Sequence, residues 1–277
     1  MSTSRVASWN LNWRVGAAAA QGRLLAELGV DVAALQEVNP RSLRSLCEAA
    51  GFEWSRSSAQ VAAWGPNSDG PRRKLVAIAG RGPEPQTWSQ VPEVPHPHRA
   101  IICDLGPIRI GSFHAPPGVQ YGLEKPAQAV VVAHHIAGMG NRPIWFGIDA
   151  NTPKVDHPDF NLTRTHWHTG NRQLEGQPGD DLLVGPDKIH SLRDCFRAWV
   201  EAEPARLEAI VRERPDGPLA TSYVTRRRRG RPDTIWRYDA IWASNHFDIV
   251  EVAYHYERSI TAGSDHALVT ADLSLNR

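Results

Sequence analysis

Ile144-Trp145-Phe146-Gly147-Ile148-Asp149-Ala150-Asn151 is an apolar run that stops on a carboxylate, with a carboxamide two residues further on. A run this rich in Ile, Phe and Trp reads as a strand covered on both faces. A carboxylate at its exit is costly to bury unless something pairs with it. On an extended chain Asp149 and Asn151 point to the same face, so they can orient one water or one phosphate together. Reading outward, the same ending recurs. Val6-Ala7-Ser8-Trp9 stops on Asn10, with Asn12 close behind; Val32-Ala33-Ala34-Leu35-Gln36 stops on Glu37; Ile110-Gly111-Ser112-Phe113 stops on His114. Tyr238-Asp239 precedes Ile241, and Ser264-Asp265-His266 opens the last apolar segment. Strand ends are commonly polar, so any one of these endings is ordinary. Their recurrence, with no other catalytic motif, points to one site where several strands end, which is where open α/β sheets bind ligands.

Periodicity supplies the elements between these endings. Strands are expected over 5–12, 31–38, 60–64, 74–80, 99–105, 107–114, 143–149, 235–243, 246–254 and 266–273. Helices are expected near 17–28, from Pro40 onward, over 124–139, and around Leu192–Phe196 and Leu207–Ile210; Pro40 suits a first helical turn. Residues 152–190, rich in Pro, Gly, Asp, His and Thr, read as a long surface excursion. No internal repeat and no long linker interrupts the chain, so 277 residues are read as one domain spanning 1–277.

Composition narrows the class. A hydrophobic content of 41% supports a sizeable core, and a net charge of +1 argues against a uniformly basic coat while allowing a local basic face. That face has a candidate in Arg226-Arg227-Arg228-Arg229, with Arg231 completing a basic loop at 226–231. Cys47, Cys103 and Cys195 are odd in number and far apart, which speaks against a disulfide framework or a zinc-thiolate site. The N-terminal segment has no apolar leader, no transmembrane segment is visible, and a cytoplasmic location is expected. Nothing marks an obligate protein partner.

The endings resemble, in order, the motif blocks of the endonuclease/exonuclease/phosphatase superfamily, the DNase I-like fold. Ser8-Trp9-Asn10-Leu11-Asn12 is similar to its first block, Leu35-Gln36-Glu37 to its metal-binding block, and Gly147-Ile148-Asp149-Ala150-Asn151 to its G-D-x-N block; Tyr238-Asp239 and Ser264-Asp265-His266 match the last two. The resemblance spans nearly the whole chain. It implies a four-layer α/β sandwich: two mixed β-sheets packed face to face, helices outside, and the site at one edge. It also implies a Mg²⁺ or Mn²⁺ ion held by Glu37, with Asp265 and the amides of Asn10 or Asn12 completing the shell. Asp239 would orient His266, and Asp149, Asn151 and His114 would handle the water and the phosphate.

Two positions depart from the pattern. Asn12 stands where many members carry aspartate. The glutamate that partners the phosphate-contacting histidine in the DNase I type has no counterpart before Leu75, where Arg72-Arg73-Lys74 stand instead. The chemistry the residues support is metal-assisted phosphoester hydrolysis. An oxygen-rich set suits a hard divalent cation, and His266 with Asp239 suits acid-base work. His114 and the phosphate-binding run Arg226–Arg229 favour a nuclease acting on DNA or RNA; a small-molecule or lipid-headgroup phosphoester is the alternative substrate.

Overall fold

The computed structural model describes residues 3–61, 74–169, 172–175, 178–226 and 232–276, without the side chains of 119, 120, 166–169, 172–175 and 178. Strands are numbered β1 to β16 and helices α1 to α8 along the chain. The first sheet holds β1 (Thr3–Asn10), β2 (Val32–Val38), β3 (Trp54–Ser57), β4 (Leu75–Gly80), β15 (Phe247–His255) and β16 (Leu268–Leu275), in the order β15-β16-β1-β2-β4-β3. The second holds β5 (Thr87–Ser89), β6 (Ala100–Leu105), β7 (Ile108–His114), β8 (Ile144–Asp149), β11 (Arg193–Asp194) and β14 (Asp239–Ala243), in the order β11-β14-β8-β7-β6-β5. Each sheet contains one parallel pair, β1 with β2 and β7 with β8, among antiparallel neighbours.

Side-chain alternation builds the layers. Along β1, Val6 faces the other sheet, while Ala7 and Trp9 face α1 (Ala18–Glu27) and α2 (Pro40–Ala50) through Leu24, Leu25, Leu43 and Leu46. Along β8, Trp145 points between the sheets, whereas Phe146 and Ile148 pack against α4 (Glu124–Ala137) and α5 (Pro178–Val184). Three apolar cores result, one between the sheets and one under each helical layer, giving the expected four-layer sandwich of two mixed sheets. The facing sheet presses on Gly147, where an added Cβ would lie 2.6 Å from Ser8 Oγ and 2.7 Å from Ala34 Cβ. Glycine is needed there because the side chains of Ser8 and Ala34 already fill the space a Cβ would take.

Helix ends follow local chemistry. Pro40 sits in the first turn of α2, the Asn39 side chain accepts from the Arg41 amide at 3.0 Å, and Gly51 closes the helix in the left-handed conformation at φ 68°. Elsewhere the expected boundaries shift. The helix placed at Leu192–Phe196 starts only at Cys195, as α6 (Cys195–Glu201): Arg193–Asp194 pair with β14, and the Asp194 side chain caps the helix through the Phe196 and Arg197 amides. The single strand expected over 235–243 is two. β13 (Thr234–Trp236) forms a hairpin with β12 (Tyr223–Thr225), and β14 joins the sheet after buried Arg237 breaks the run. Of the strand expected at 60–64, Gln60 ends a 3-10 turn and 62–64 lie outside the described residues; β3 and β5 had no expectation.

The remaining elements are peripheral: a hairpin of β9 (His166–Thr169) and β10 (Arg172–Glu175), and the helices α3 (Gly118–Tyr121), α7 (Pro204–Glu213) and α8 (Tyr256–Thr261). The stretch 152–190 thus contains a hairpin and a helix. All three cysteines are buried and unpaired. No helix among the described residues is long and apolar enough to cross a membrane.

Candidate active site

Parallel pairing aligns the exits of the central strands at one end of the sandwich. His114 and Asp149 are register partners at the ends of β7 and β8, and Asp239, at the start of antiparallel β14, is the partner of Asp149 on its other side. Asn10 and Glu37 leave β1 and β2 of the facing sheet, and His266 lies two residues before the start of β16. Asn10, Glu37, His114, Asp149, Asp239 and His266 are all buried, an unusual density of ionisable groups that must answer one another.

They do so through short contacts across the sheets. Asn10 Nδ2 donates to Asp149 Oδ2 at 2.8 Å, and its Oδ1 accepts from the Asn12 backbone amide at 2.9 Å, which fixes the amide's orientation. Asn151 donates its backbone amide to Asp149 Oδ1 at 3.0 Å and its side-chain amide to Ala115 O at 2.9 Å. Beneath it, the buried Lys125 donates to Asn151 O at 2.7 Å. His266 Nδ1 meets Asp239 Oδ2 at 2.8 Å, and Ser264 Oγ donates to Asn10 O at 2.6 Å, pinning the Ser264–His266 turn to β1. Asp265, half-buried, contributes charge from the rim.

Backbone strain concentrates here. Among the described residues, five non-glycine positions have positive φ, and four of them, Asn12, Trp13, Glu37 and Asn151, lie in the motif blocks or beside them. Glu37 (φ 49°) sits at a register shift between β2 and β4, and that bulge turns the carboxylate out of the sheet toward the site.

Electrostatics divides the groups. Burial works against a charged His266, yet the Asp239 and Asp149 charges outweigh it and push its pKa up to about 10. The ring is therefore a cation at neutral pH. Burial raises the Asp149 carboxyl above the usual carboxylate range; His266 pulls it down, Asp239 adds to the rise, and the Asn10 and Asn151 bonds oppose it. Burial, then Arg99 and Lys74, drive His114 well below the usual histidine range, so that ring is neutral.

Two cations that sequence reading did not assign stand beside these groups. Lys74 Nζ reaches Glu37 Oε1 at 2.5 Å, and Arg99 Nη1 lies 2.9 Å from His114 Nδ1. His114, expected to lack a partner, has one of the opposite kind: a guanidinium where a carboxylate was sought, because the residue preceding β6 reaches the end of neighbouring β7. The signal in the sequence was His98-Arg99 directly before the apolar Ala100-Ile101-Ile102-Cys103. A third unassigned residue is Tyr223, whose ring lies 4.7 Å from that of His266 and whose hydroxyl feels Asp265, Asp149 and Glu37. Trp236, Tyr238 and Tyr223 stack in sequence toward His266, whereas Trp9, Trp145 and Trp242 are core. Arg226 is exposed, on the rim within electrostatic reach of Tyr256; Arg227, Arg228 and Arg229 lie outside the described residues.

Ligand atoms of Asp149, Asp239 and His266 lie within 4.8 Å of one another. A charged imidazole bonded to Asp239 offers no lone pair to a metal, so we treat this trio as acid-base machinery. The donors that suit a hard cation are oxygens: Glu37 at the bulge, Asp265, and the amide oxygens of Asn10 and Asn12. Asp239 Oδ1, buried without a hydrogen-bond partner among the described residues, adds an unsatisfied acceptor at the same end.

No curated protein matches the chain. Two crystal structures of D. rerio TDP2, one a form humanized by 14 mutations and one complexed with a single-strand DNA product, superpose with TM-score 0.64 at 14% and 15% identity, covering 99% of this chain and 100% of theirs. At that identity the likeness establishes the fold. The model of the endonuclease/exonuclease/phosphatase family matches residues 7–266, from the first block through the last, and the chain belongs to that family of phosphoester hydrolases.

Proposed function

We propose that this chain is a divalent-metal-dependent phosphodiesterase that cleaves nucleic acid. The observation that carries the reading is the meeting of Glu37, Asp149 and the Asp239–His266 pair, from four strand ends of two sheets, in one buried cluster. Glu37 would hold Mg²⁺ or Mn²⁺, with Asp265 and the amide oxygens of Asn10 and Asn12 filling the shell. When bound, the ion supplies positive charge at the phosphoryl oxygens.

The chain's own residues do the rest. Asp149, a carboxylate made more basic by burial and held in position by Asn10 and the Asn151 amide, takes the proton of the attacking water as the new P–O bond forms and the P–O bond to the leaving sugar oxygen breaks, that oxygen taking its proton from solvent. His266 is the cation; Asp239 takes Nδ1, leaving Nε2–H to donate to a phosphoryl oxygen as charge builds. The basic run Arg226–Arg229 would bind flanking phosphates. The single-strand DNA product in one TDP2 structure makes nucleic acid the first substrate to test.

A panel of DNA, RNA, nucleotides, phosphoinositides and simple phosphodiesters, each assayed with chelator and then with Mg²⁺ or Mn²⁺ restored, tests the proposal. Nucleic-acid cleavage that stops with chelation and returns with metal is expected. Full activity in excess chelator sinks the metal assignment; cleavage confined to small phosphoesters replaces the substrate.

A further inference from the structure

Lys125 and Asp180 are buried together under the turn that leaves β8. Their side chains are 1% and 2% exposed, and Lys125 Nζ lies 3.6 Å from Asp180 Oδ2. Lys125 belongs to the first turn of α4 and Asp180 to the first turn of α5. The two turns pack so tightly that the Pro126 carbonyl leaves no room for a Cβ at Gly179. The same ammonium donates to Asn151 O at 2.7 Å, a shorter contact than the ion pair.

A lysine is a poor choice for docking α5 alone. Burying it takes an ammonium out of water and freezes a long flexible stem, and an apolar pair of similar volume packs as well without either cost. Burial lowers the Lys125 pKa; the Asp180 charge, and then that of Asp149, oppose it, so the ammonium lies in the field of the site as well as of its partner. What it meets there is a strained residue. Asn151 has φ 48°, and three bonds hold it: its amide on Asp149 Oδ1 at 3.0 Å, its carboxamide on Ala115 O at 2.9 Å, and its carbonyl on Lys125. The amide and the carbonyl lie on opposite sides of the Cα. Together they fix both backbone torsions of a residue that relaxes out of the left-handed region when released.

We propose that Lys125 is a positioning residue whose buried ammonium holds the Asn151 carbonyl and, through that left-handed turn, keeps the Asn151 amide on Asp149. Asp180 answers the charge of the ammonium, which ties α5 of the 152–190 excursion to the site. The inference rests on the phosphodiesterase reading only for what Asp149 then does to water; the hold on Asn151 stands on the contacts themselves.

Lys125→Met combined with Asp180→Asn removes the donor without leaving a buried charge behind, so the urea midpoint should stay near that of the wild type. Full-length protein labelled with ¹⁵N-asparagine gives the first readout, the Asn151 amide being the signal lost in Asn151→Ala. Its hydrogen exchange should be slow in the wild type and roughly tenfold or more faster in the double variant, while asparagine amides outside the site are unchanged. Kinetics on a small chromogenic phosphodiester gives the second. There kcat should fall roughly tenfold, the scale of one lost hydrogen bond at the reacting groups, with KM little moved because the substrate's own contacts are untouched. In an Asn151→Ala background the same pair of changes should cost less than it does in the wild type. Wild-type exchange or wild-type kcat in a folded double variant would make the pair a dock for α5 and overturn the proposal. Faster exchange at every asparagine, a change in KM alone, or losses that multiply in full with Asn151→Ala would overturn it too. A wild type that cleaves no phosphodiester fails the functional reading instead, and the exchange of Asn151 still decides the hold. If the double variant fails to fold, Lys125→Leu with Asp180→Leu fills the space with apolar groups and carries the same expectations.

Discussion

Two buried charge networks flank the same end of the second sheet, and they are satisfied to different degrees. In one, Asp156 accepts from Arg197 Nη2 at 2.5 Å, from Arg237 Nε at 2.6 Å and Nη2 at 2.9 Å, and from the Leu219 amide at 2.9 Å. Asp194 Oδ2 meets Arg237 Nη2 at 2.8 Å, so two carboxylates face two guanidiniums. In the other, Asp149 lies beside the bonded Asp239–His266 pair, Asp239 leaves an oxygen without a hydrogen-bond partner among the described residues, and Glu37 rests on Lys74, a side chain 44% exposed. The outcome differs for the same residue type at the same depth. The arginines hold Asp156 down at about 2 against the cost of burial, whereas Asp149 is driven up. A network in which every carboxylate oxygen is bonded, as those of Asp156 and Asp194 are, staples the 152–165 loop to the sheet. One with valences left over can bind and react.

The largest effect should fall on the staple. Asp156→Ala strands Arg197 and Arg237 as buried unpaired cations and should cost about 3–5 kcal/mol, the scale for breaking one side of a buried pair. Urea unfolding measures it, and the fraction that remains folded should keep its turnover. The sign with pH follows from the depressed folded value. The Asp156 contribution is present above its ordinary pKa of 3.8 and is lost as pH falls through about 2. The wild type should lose that increment between those values, on the order of 2 kcal/mol at about 1.4 kcal/mol per unit, and Asp156→Asn should not. A variant that stays stable but loses catalysis would mean the two networks are one.

At the site the balance should reverse. Asp149→Asn, His266→Ala and Glu37→Gln should each reduce turnover, the first two by at least ~100-fold, the lower scale for a positioned acid or base. Unfolding midpoints should change little for Glu37→Gln and for Asp149→Asn, which removes a desolvated charge, whereas His266→Ala leaves the buried Asp239 carboxylate without its partner and should lower the midpoint as well. Circular dichroism melts alongside kcat separate the two results; three variants with near wild-type turnover would remove the site assignment.

Lys74 sharpens the contrast from inside the site. Its ammonium occupies Glu37 Oε1, the oxygen we assign to the metal, so metal and lysine compete for one carboxylate. Lys74→Met should lower the Mg²⁺ concentration at half-maximal activity by at most about fivefold, the equivalent of the ~1 kcal/mol ceiling for a partly exposed pair. A higher metal requirement would make Lys74 part of the metal's support instead of its competitor.

The strand exits were legible in the sequence because a polar group at the end of a strand buried on both faces is costly unless it has a partner to meet there. Asn10, Glu37, His114, Asp149 and Asp239 all sit where β1, β2, β7, β8 and β14 end or begin. What escaped was set by neighbours distant along the chain. Arg99 and Lys74 precede their strands by one residue and look like ordinary surface cations until strand pairing carries them to His114 and Glu37. Arg237 and Asp156 gave no signal, because 81 residues separate them and only the break between β13 and β14 brings the guanidinium inward. Helix and strand competed at Arg193–Asp194, where a capping aspartate belongs to both patterns.

Arg226 supplies a third kind of charge, exposed and belonging to neither network, and there the smallest chemical effect is expected. Phosphate contacts release condensed counterions, so each should contribute about −0.9 to the slope of log affinity against log salt on duplex DNA. Replacing Arg226–Arg229 with glutamine should flatten that slope, by up to about 3.6 if all four touch phosphate, and weaken binding equally across sequences. Turnover of a small chromogenic phosphodiester should hardly move, since it reaches only the buried cluster of Glu37, Asp149, Asp239 and His266. Binding isotherms at several salt concentrations, read beside small-substrate kinetics of the same variant, separate steering from chemistry. An unaltered slope removes the rim from the nucleic-acid interface. A wild type whose binding shows no salt dependence, yet which cleaves the small diester, would shift the substrate from polymer to small molecule.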